Sequence, residues 1–229
     1  MSYRKTPRRA LRIALAAVAA LVAGTTLASP ALAQSGGSGT PLRLGVLLGA
    51  SSATIGGKDA EDASRRTGLL GGVYLVKSLS SGLSLRPELL YSQKGAEGTV
   101  VEDGMGGETD VALELSYFDV PVLLQLEVGS GGAARPHFYA GPSFGFKSGC
   151  TLTGKQGPVE VSLDCDDEAF DLESFDLGGV VGGGIGFGLG ALQGTVGARY
   201  QHGFSDLAKD AKVQNRVVSV YASLEFGRR

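Results

Sequence analysis

Leu83-Ser84-Leu85-Arg86-Pro87-Glu88-Leu89-Leu90-Tyr91-Ser92-Gln93-Lys94 separates into two rows when read at every second residue. Leu83, Leu85, Pro87, Leu89 and Tyr91 make an apolar row, while Ser84, Arg86, Glu88, Leu90 and Ser92 make a mostly polar one. Successive side chains on a strand point to opposite faces, so the stretch reads as a β-strand with one greasy face and one charged face. A soluble sandwich would turn the greasy face inward. A membrane barrel reads the same pattern inside out, with lipid on the apolar face and the charges in the lumen.

The flanking sequence repeats the pattern. Upstream, Leu42 to Ala50 sets Leu42, Leu44, Val46, Leu48 and Ala50 against Arg43, Gly45 and Gly49. Thr67 to Lys77 reads as a strand whose alternation is too poor to assign its facing. Downstream, Thr109 to Glu127 changes parity: Val111, Leu113 and Leu115 lie on one row, Phe118, Val120, Val122, Leu124 and Leu126 on the other. That change predicts a β-bulge near Ser116 to Phe118. Further strands are predicted at Pro136 to Lys147, Phe175 to Phe187, Leu192 to His202 and Val217 to Phe226. The connections alternate in length, with long polar loops at 51–66, 95–108, 148–172 and 203–216 and short turns at 78–82, 128–135 and 188–191.

Eight strands joined by alternating short turns and long loops point to an all-β, eight-stranded antiparallel transmembrane up-and-down β-barrel. Aromatic residues near the ends of the apolar rows (Tyr91, Phe146, Phe187, Tyr200, Phe226) fit interfacial girdles. The opposite rows carry Arg43, Arg86, Glu88, Asp119, Gln125, Arg199 and Glu225, too much charge for a dry soluble core but suited to a narrow lumen where opposite charges pair. The expected lumen network is Arg86, Glu88, Asp119, Arg199 and Glu225, with Arg199 and Asp119 as partners for Arg86 and Glu88.

The chain of 229 residues is long enough for one such barrel after an export leader is removed. Arg4, Lys5, Arg8, Arg9 and Arg12 form a basic start, an apolar run follows from Ile13 to Leu27, and Ala31-Leu32-Ala33 offers a small-x-small cleavage pattern. Residues 1–33 therefore read as a signal peptide, 34–40 as a flexible Gly/Ser linker and 41–229 as the barrel. Cleavage takes Lys+Arg from 21 to 21 − 5 = 16 against 23 acids, a net charge of 16 − 23 = −7. An acidic mature chain argues against nucleic acid as a partner. Beyond the leader, no apolar run is long enough for a spanning helix. The two cysteines, Cys150 and Cys165, lie in the exported part and are expected to form a disulfide at the base of the largest loop. Closing that loop is worth roughly 3 kcal/mol in the chain-entropy picture.

Several stretches also resemble the PorT-like family of bacterial outer-membrane β-barrels. They are Arg86-Pro87-Glu88-Leu89-Leu90-Tyr91-Ser92-Gln93-Lys94-Gly95, Tyr117-Phe118-Asp119-Val120-Pro121-Val122-Leu123-Leu124, Tyr139-Ala140-Gly141-Pro142, the Gly-rich run from Leu177 to Gly186, and Ala198-Arg199-Tyr200. The resemblance covers nearly all of the mature chain. It implies an eight-stranded barrel in the outer membrane, and some such relatives take part in protein secretion. The family's role transfers less readily than its fold. The chain departs from many outer-membrane barrels in ending Phe226-Gly227-Arg228-Arg229 rather than on an aromatic residue. Pro87, Pro121 and Pro142 each remove a ladder hydrogen bond, so bulges are expected beside them.

Motifs of chemistry are thin. Gly141 to Ser148 misses a phosphate-binding loop because its sixth position is Phe146 and no helix follows. The run Gly182-Gly183-Gly184-Ile185-Gly186 lacks a βαβ setting. His137 and His202 are the only histidines, and no Ser-His-acid pattern accompanies them. Asp164, Asp166, Asp167, Glu168, Asp171 and Glu173 do not follow calcium-loop spacing and read as a solvated acidic loop. The expectation is a monomeric structural or interaction barrel without catalytic, cofactor or metal residues, in contact with outer-membrane lipid and with membrane or secretion-complex proteins. The alternatives are a small selective channel, a barrel enzyme and a soluble secreted barrel.

Overall fold

In the computed structural model the described residues are 42–57, 64–101, 108–129, 133–165, 173–190, 192–206 and 213–226. The expected leader and linker, the acids Asp166, Asp167, Glu168 and Asp171, and the terminal Gly227-Arg228-Arg229 lie outside them.

Nine strands make up the described fold: β1 (Leu42–Gly57), β2 (Ser64–Ser80), β3 (Leu83–Val101), β4 (Glu108–Glu127), β5 (Ala134–Gln156), β6 (Val159–Asp164), β7 (Phe175–Leu189), β8 (Leu192–Gly203) and β9 (Val213–Phe226). All pairings are antiparallel. Eight strands close a ring in the order β1-β2-β3-β4-β5-β7-β8-β9, with β9 returning to β1. The ninth, β6, stands outside the ring and pairs only with the far half of β5. The predicted loop 148–172 is thus partly strand. β5 runs on to Gln156, turns at Gly157 (φ 58°) and Pro158, and returns as β6. Beyond a bilayer both faces of a strand are wet, so the alternation that marks a membrane strand is no longer required. For the same reason β1, β2, β3 and β9 extend into stretches that read as loop.

Register fixes the geometry of the ring. Stepping between partners from Leu42 through Lys77, Leu85, Leu124, Ala140, Val181, Tyr200 and Val218 returns to β1 at Ser52, a stagger of 52 − 42 = 10 residues. A staggered eight-strand ring must tilt its strands, by about 35–45°, and its interior is just wide enough for side chains. Glycine is needed where bulky side chains cross that interior. A Cβ on Gly45 would lie 2.2 Å from the Tyr74 ring, and one on Gly197 2.6 Å from the Tyr221 hydroxyl.

The rows face as their chemistry dictates in an inside-out protein. On β3, Ser84, Arg86, Glu88, Leu90, Ser92 and Lys94 are buried in the lumen, while Leu83, Leu85, Pro87, Leu89 and Tyr91 point outward. Leu48, Phe138 and Val220 are 70%, 61% and 60% exposed, and they belong to a continuous apolar outer surface. So much exposed aliphatic surface is stable only against lipid. At the loop end, register partners carry an outward aromatic row across four ring strands: Tyr91, Phe118, Phe146 and Phe175. Tyr91 meets Phe118 edge-on at 5.9 Å, and Phe146 lies 5.5 Å from Phe175.

β2, whose facing the sequence leaves open, turns Leu70, Tyr74 and Val76 inward and Leu69 and Val73 outward. Both its rows are apolar because the lumen holds an apolar cluster of its own, including Leu47, Leu70, Val76, Leu90, Leu123 and Val180.

The bulge is placed differently from the prediction. The register between β4 and β5 does shift between Ser116 and Tyr117, but the extra residue is Ser148 on β5. β4 itself alternates without interruption, with Leu115, Tyr117, Asp119, Pro121, Leu123 and Gln125 all turned inward. Its inner row changes from apolar to polar along the strand, which mimics a parity change. No register shift accompanies Pro87, Pro121 or Pro142. Partners are missing between Pro87 and Leu90 on β3 and between Pro121 and Leu124 on β4, and the register resumes unchanged. A lost hydrogen bond leaves a rung open without adding a residue.

A small fluorophore on a cysteine at Leu89 is expected to be quenched by brominated acyl chains in the folded protein. The same fluorophore at the adjacent Leu90 should be spared; equal quenching would contradict the assigned rows.

Candidate functional site

The lumen holds the only concentration of polar chemistry buried among the described residues, arranged in three tiers along the barrel. Near the turn end, Arg43 from β1 pairs with Glu225 from β9 at 3.0 Å. The Tyr74 hydroxyl donates to Ser223 Oγ at 3.0 Å and reaches Glu225 at 3.3 Å. In the middle, Glu88 on β3 lies between two arginines. Arg86 Nε approaches Glu88 at 2.8 Å, and Arg199 Nη2 from β8 approaches it at 2.8 Å. Arg86 Nη1 also donates to Gln125 Oε1 at 3.2 Å. Tyrosines pack these guanidinium groups: Arg86 sits 3.9 Å from the Tyr74 ring centre and Arg199 5.5 Å from that of Tyr221. The Tyr139 hydroxyl donates to that of Tyr221 at 3.0 Å.

Toward the loop end, Lys94 bridges Asp119 of β4 at 3.0 Å and Asp176 of β7 at 3.3 Å. Ser92 donates to Asp119, and Asn215 of β9 donates to Asp176 at 2.8 Å. The ammonium also lies 4.4 Å from the Tyr117 ring centre. Above this tier Leu115 and Tyr117 are buried with Ile55, Leu113 and Cys150 against them.

The sequence-predicted network is therefore divided. Arg86, Glu88 and Arg199 come together across the lumen. Asp119 does not join them, because its partner is Lys94. Glu225 belongs to the turn-end tier with Arg43. Lys94 and Asp176 were missed, although parity marks both. Lys94 shares the even-numbered row of Arg86 and Glu88, and Asp176 lies between outward Phe175 and Leu177. The histidines stand apart: His137 is buried in the lumen beside Tyr139, and His202 lies on the outer face between Tyr200 and Phe204. Among the described residues no three His, Cys, Asp or Glu side chains group to hold a metal ion.

Four cations (Arg43, Arg86, Lys94, Arg199) and four carboxylates (Glu88, Asp119, Asp176, Glu225) are buried here, so their formal charges cancel. Burying an ion costs several kcal/mol, which only close partners and further hydrogen bonds offset. The tiers supply those partners from strands distant in sequence. What the arrangement does chemically is fill the bore: Arg86, Tyr74, Tyr117 and Lys94 are its largest fully buried side chains. Outside the lumen, Arg66 pairs with the half-buried Glu114 and lies 3.7 Å from the exposed Glu97.

Cys150 and Cys165 are bonded, with Cα atoms 5.2 Å apart. Cys150 lies within β5 and Cys165 just past β6, and the Cys165 amide donates to the Cys150 carbonyl at 3.1 Å. The bond therefore staples a β-hairpin, whereas the sequence suggested the base of an open loop.

A family model described as "Outer membrane protein beta-barrel domain" matches residues 32–209. The chain belongs to that family. Among solved structures, this outer-membrane barrel is similar to Neisserial surface protein A, with 12% identity over 80% of this chain and 97% of that one and a TM-score of 0.46. It is similar to a major outer membrane protein of Thermus thermophilus at 12% identity, 80% and 99% coverage and a TM-score of 0.44. It is also similar to Ail of Yersinia pestis at 11% identity, 81% and 99% coverage and a TM-score of 0.40. No curated protein matches the chain. At these identities and TM-scores the likenesses assign no role.

Replacing Glu88 with Gln leaves two buried guanidinium groups without their shared carboxylate. The expected cost is about 3–5 kcal/mol, read from urea unfolding in lipid bilayers; an unchanged midpoint would contradict the tier. Replacing both cysteines with serine should speed amide exchange in β6 while leaving that of β1 and β9 unchanged.

Proposed function

We propose that this barrel is a closed outer-membrane platform of the PorT-like type, a monomeric structural or interaction protein accessory to protein secretion. The observation that carries this reading is the charge-paired, tyrosine-packed lumen. A solute crossing it would have to break the Glu88, Lys94 and Glu225 pairs in turn, each at a cost of several kcal/mol. Transport through the bore is thus disfavoured, and the surfaces left for function are the lipid-facing belt and the loop end. The PorT-like type is supported by the motif resemblance of β3, β4, β5 and β8, and the secretion role by analogy with relatives of that type. The reading gives the protein an export leader, outer-membrane lipid and secretion-complex proteins as partners, and no catalytic step.

The small selective channel is the competing reading, and planar-bilayer recording decides between them. The folded barrel is expected to show no stable conductance at porin-like levels; steady open-channel currents would overturn the closed-platform reading. Affinity purification of the intact barrel from its native outer membrane is expected to bring down secretion machinery reproducibly. Its consistent absence would remove the secretion role and leave the platform.

A further inference from the structure

The ring has no free edge, yet the chain builds one outside it. Past the aromatic row, β3 continues from Tyr91 to Val101, 101 − 91 = 10 residues, which is roughly 30 Å of strand. β2 still pairs with it at Ser64–Glu97 and Arg65–Ala96, β4 and β5 rise on its other side, and β6 ends the wall. On the other side β8 ends at Gly203 and β7 begins at Phe175, so the wall stands on one side of the mouth. All six residues of β6 are exposed. Among the described residues its second edge pairs with nothing, so a row of backbone N–H and C=O groups is open there.

Free edges are commonly blunted by charge, and Glu160 and Asp164 on β6 are acids that could serve only that purpose. Two observations go further. First, the other face of β6 is aliphatic: Val159, Val161 and Leu163 are 61%, 54% and 62% exposed. Through register they continue an apolar surface across the wall, Leu163 beside Leu152 and Leu152 beside Leu113. A guard against aggregation gains nothing from this surface. Second, the edge is held in place, since the disulfide and the hydrogen bond from the Cys165 amide to the Cys150 carbonyl lock β6 onto β5.

We propose that β6 is a docking edge for an extended, basic segment of another protein, which adds to the wall as one more strand. Open backbone groups select a strand, the aliphatic row selects apolar side chains at alternate positions, and Glu160 and Asp164 select Lys or Arg between them. β6 itself carries two acids, Glu160 and Asp164, and no Lys or Arg, with Lys155 of β5 opposite Glu160 on its paired side. A second copy of this chain is a poor occupant, because it would set its own Glu160 and Asp164 against these. The proposal rests on the reading of the barrel as a platform, naming the chemistry of what it receives.

The test uses the intact barrel in phosphatidylcholine nanodiscs and a fluorescein-labelled nonapeptide of alternating lysine and valine, followed by anisotropy. Saturable binding is expected. A peptide of the same sequence with alternate backbone amides N-methylated should bind at least tenfold more weakly, although its charge is unchanged. The variant E160K/D164K, checked for folding by heat-modifiable gel migration, should also lose at least tenfold. No saturable binding, equal binding of the methylated peptide, or full binding by E160K/D164K would each overturn the proposal. These outcomes are independent of conductance, so failure here and failure of the platform reading can be told apart.

Discussion

A peptide group in hydrocarbon has no water to bond, so a sheet can cross a membrane only if it has no edge. The pairing of β4 with β5 and of β9 with β1 meets that condition, and the rest of the structure follows from it. Closing eight strands with a stagger of ten residues sets a narrow bore. The narrow bore sets bulky inward tyrosines against glycines, as Tyr74 faces Gly45 and Tyr221 faces Gly197. The abundance of glycine is thus partly a packing requirement of the lumen.

The same closure explains why the interior is ionic. The outward rows take the apolar residues because lipid is there, and the inward rows are left with polar ones. Once enclosed, those charges must find partners among themselves. They do so in tiers joining β3 to β8, β3 to β4 and β7, and β1 to β9. The interior is as closed as a soluble core but is held by ion pairs, hydrogen bonds and cation–π packing as well as by Leu47, Leu123 and Val180. Above the membrane the closure condition lapses, and there the chain builds β6, whose second edge is unpaired among the described residues.

Legibility in the sequence followed the strength of each physical demand. Where a strand faces lipid on one side and ion pairs on the other, as β3 and β9 do, facing can be read residue by residue. β2 resisted because Leu70, Tyr74 and Val76 fill the lumen with the same kind of residue that Leu69 and Val73 present to lipid. The strand extensions beyond the aromatic row resisted because water on both faces imposes no alternation. The apparent parity change in β4 misled for a related reason, since Leu113, Leu115 and Tyr117 form an inward apolar cluster above the ion pairs.

The sequence by itself determined the all-β class, the inside-out rows, the alternation of turns and loops, and the identity of most lumen charges. Alternation and loop length are local properties, and the membrane demands them of each strand separately. Only the tertiary structure decided that Glu88 is shared by Arg86 and Arg199, that Asp119 answers Lys94, and that the extra residue at the register shift is Ser148. Those facts depend on the stagger of the closed ring, which sets the height at which residues a hundred positions apart meet. No single strand carries that information.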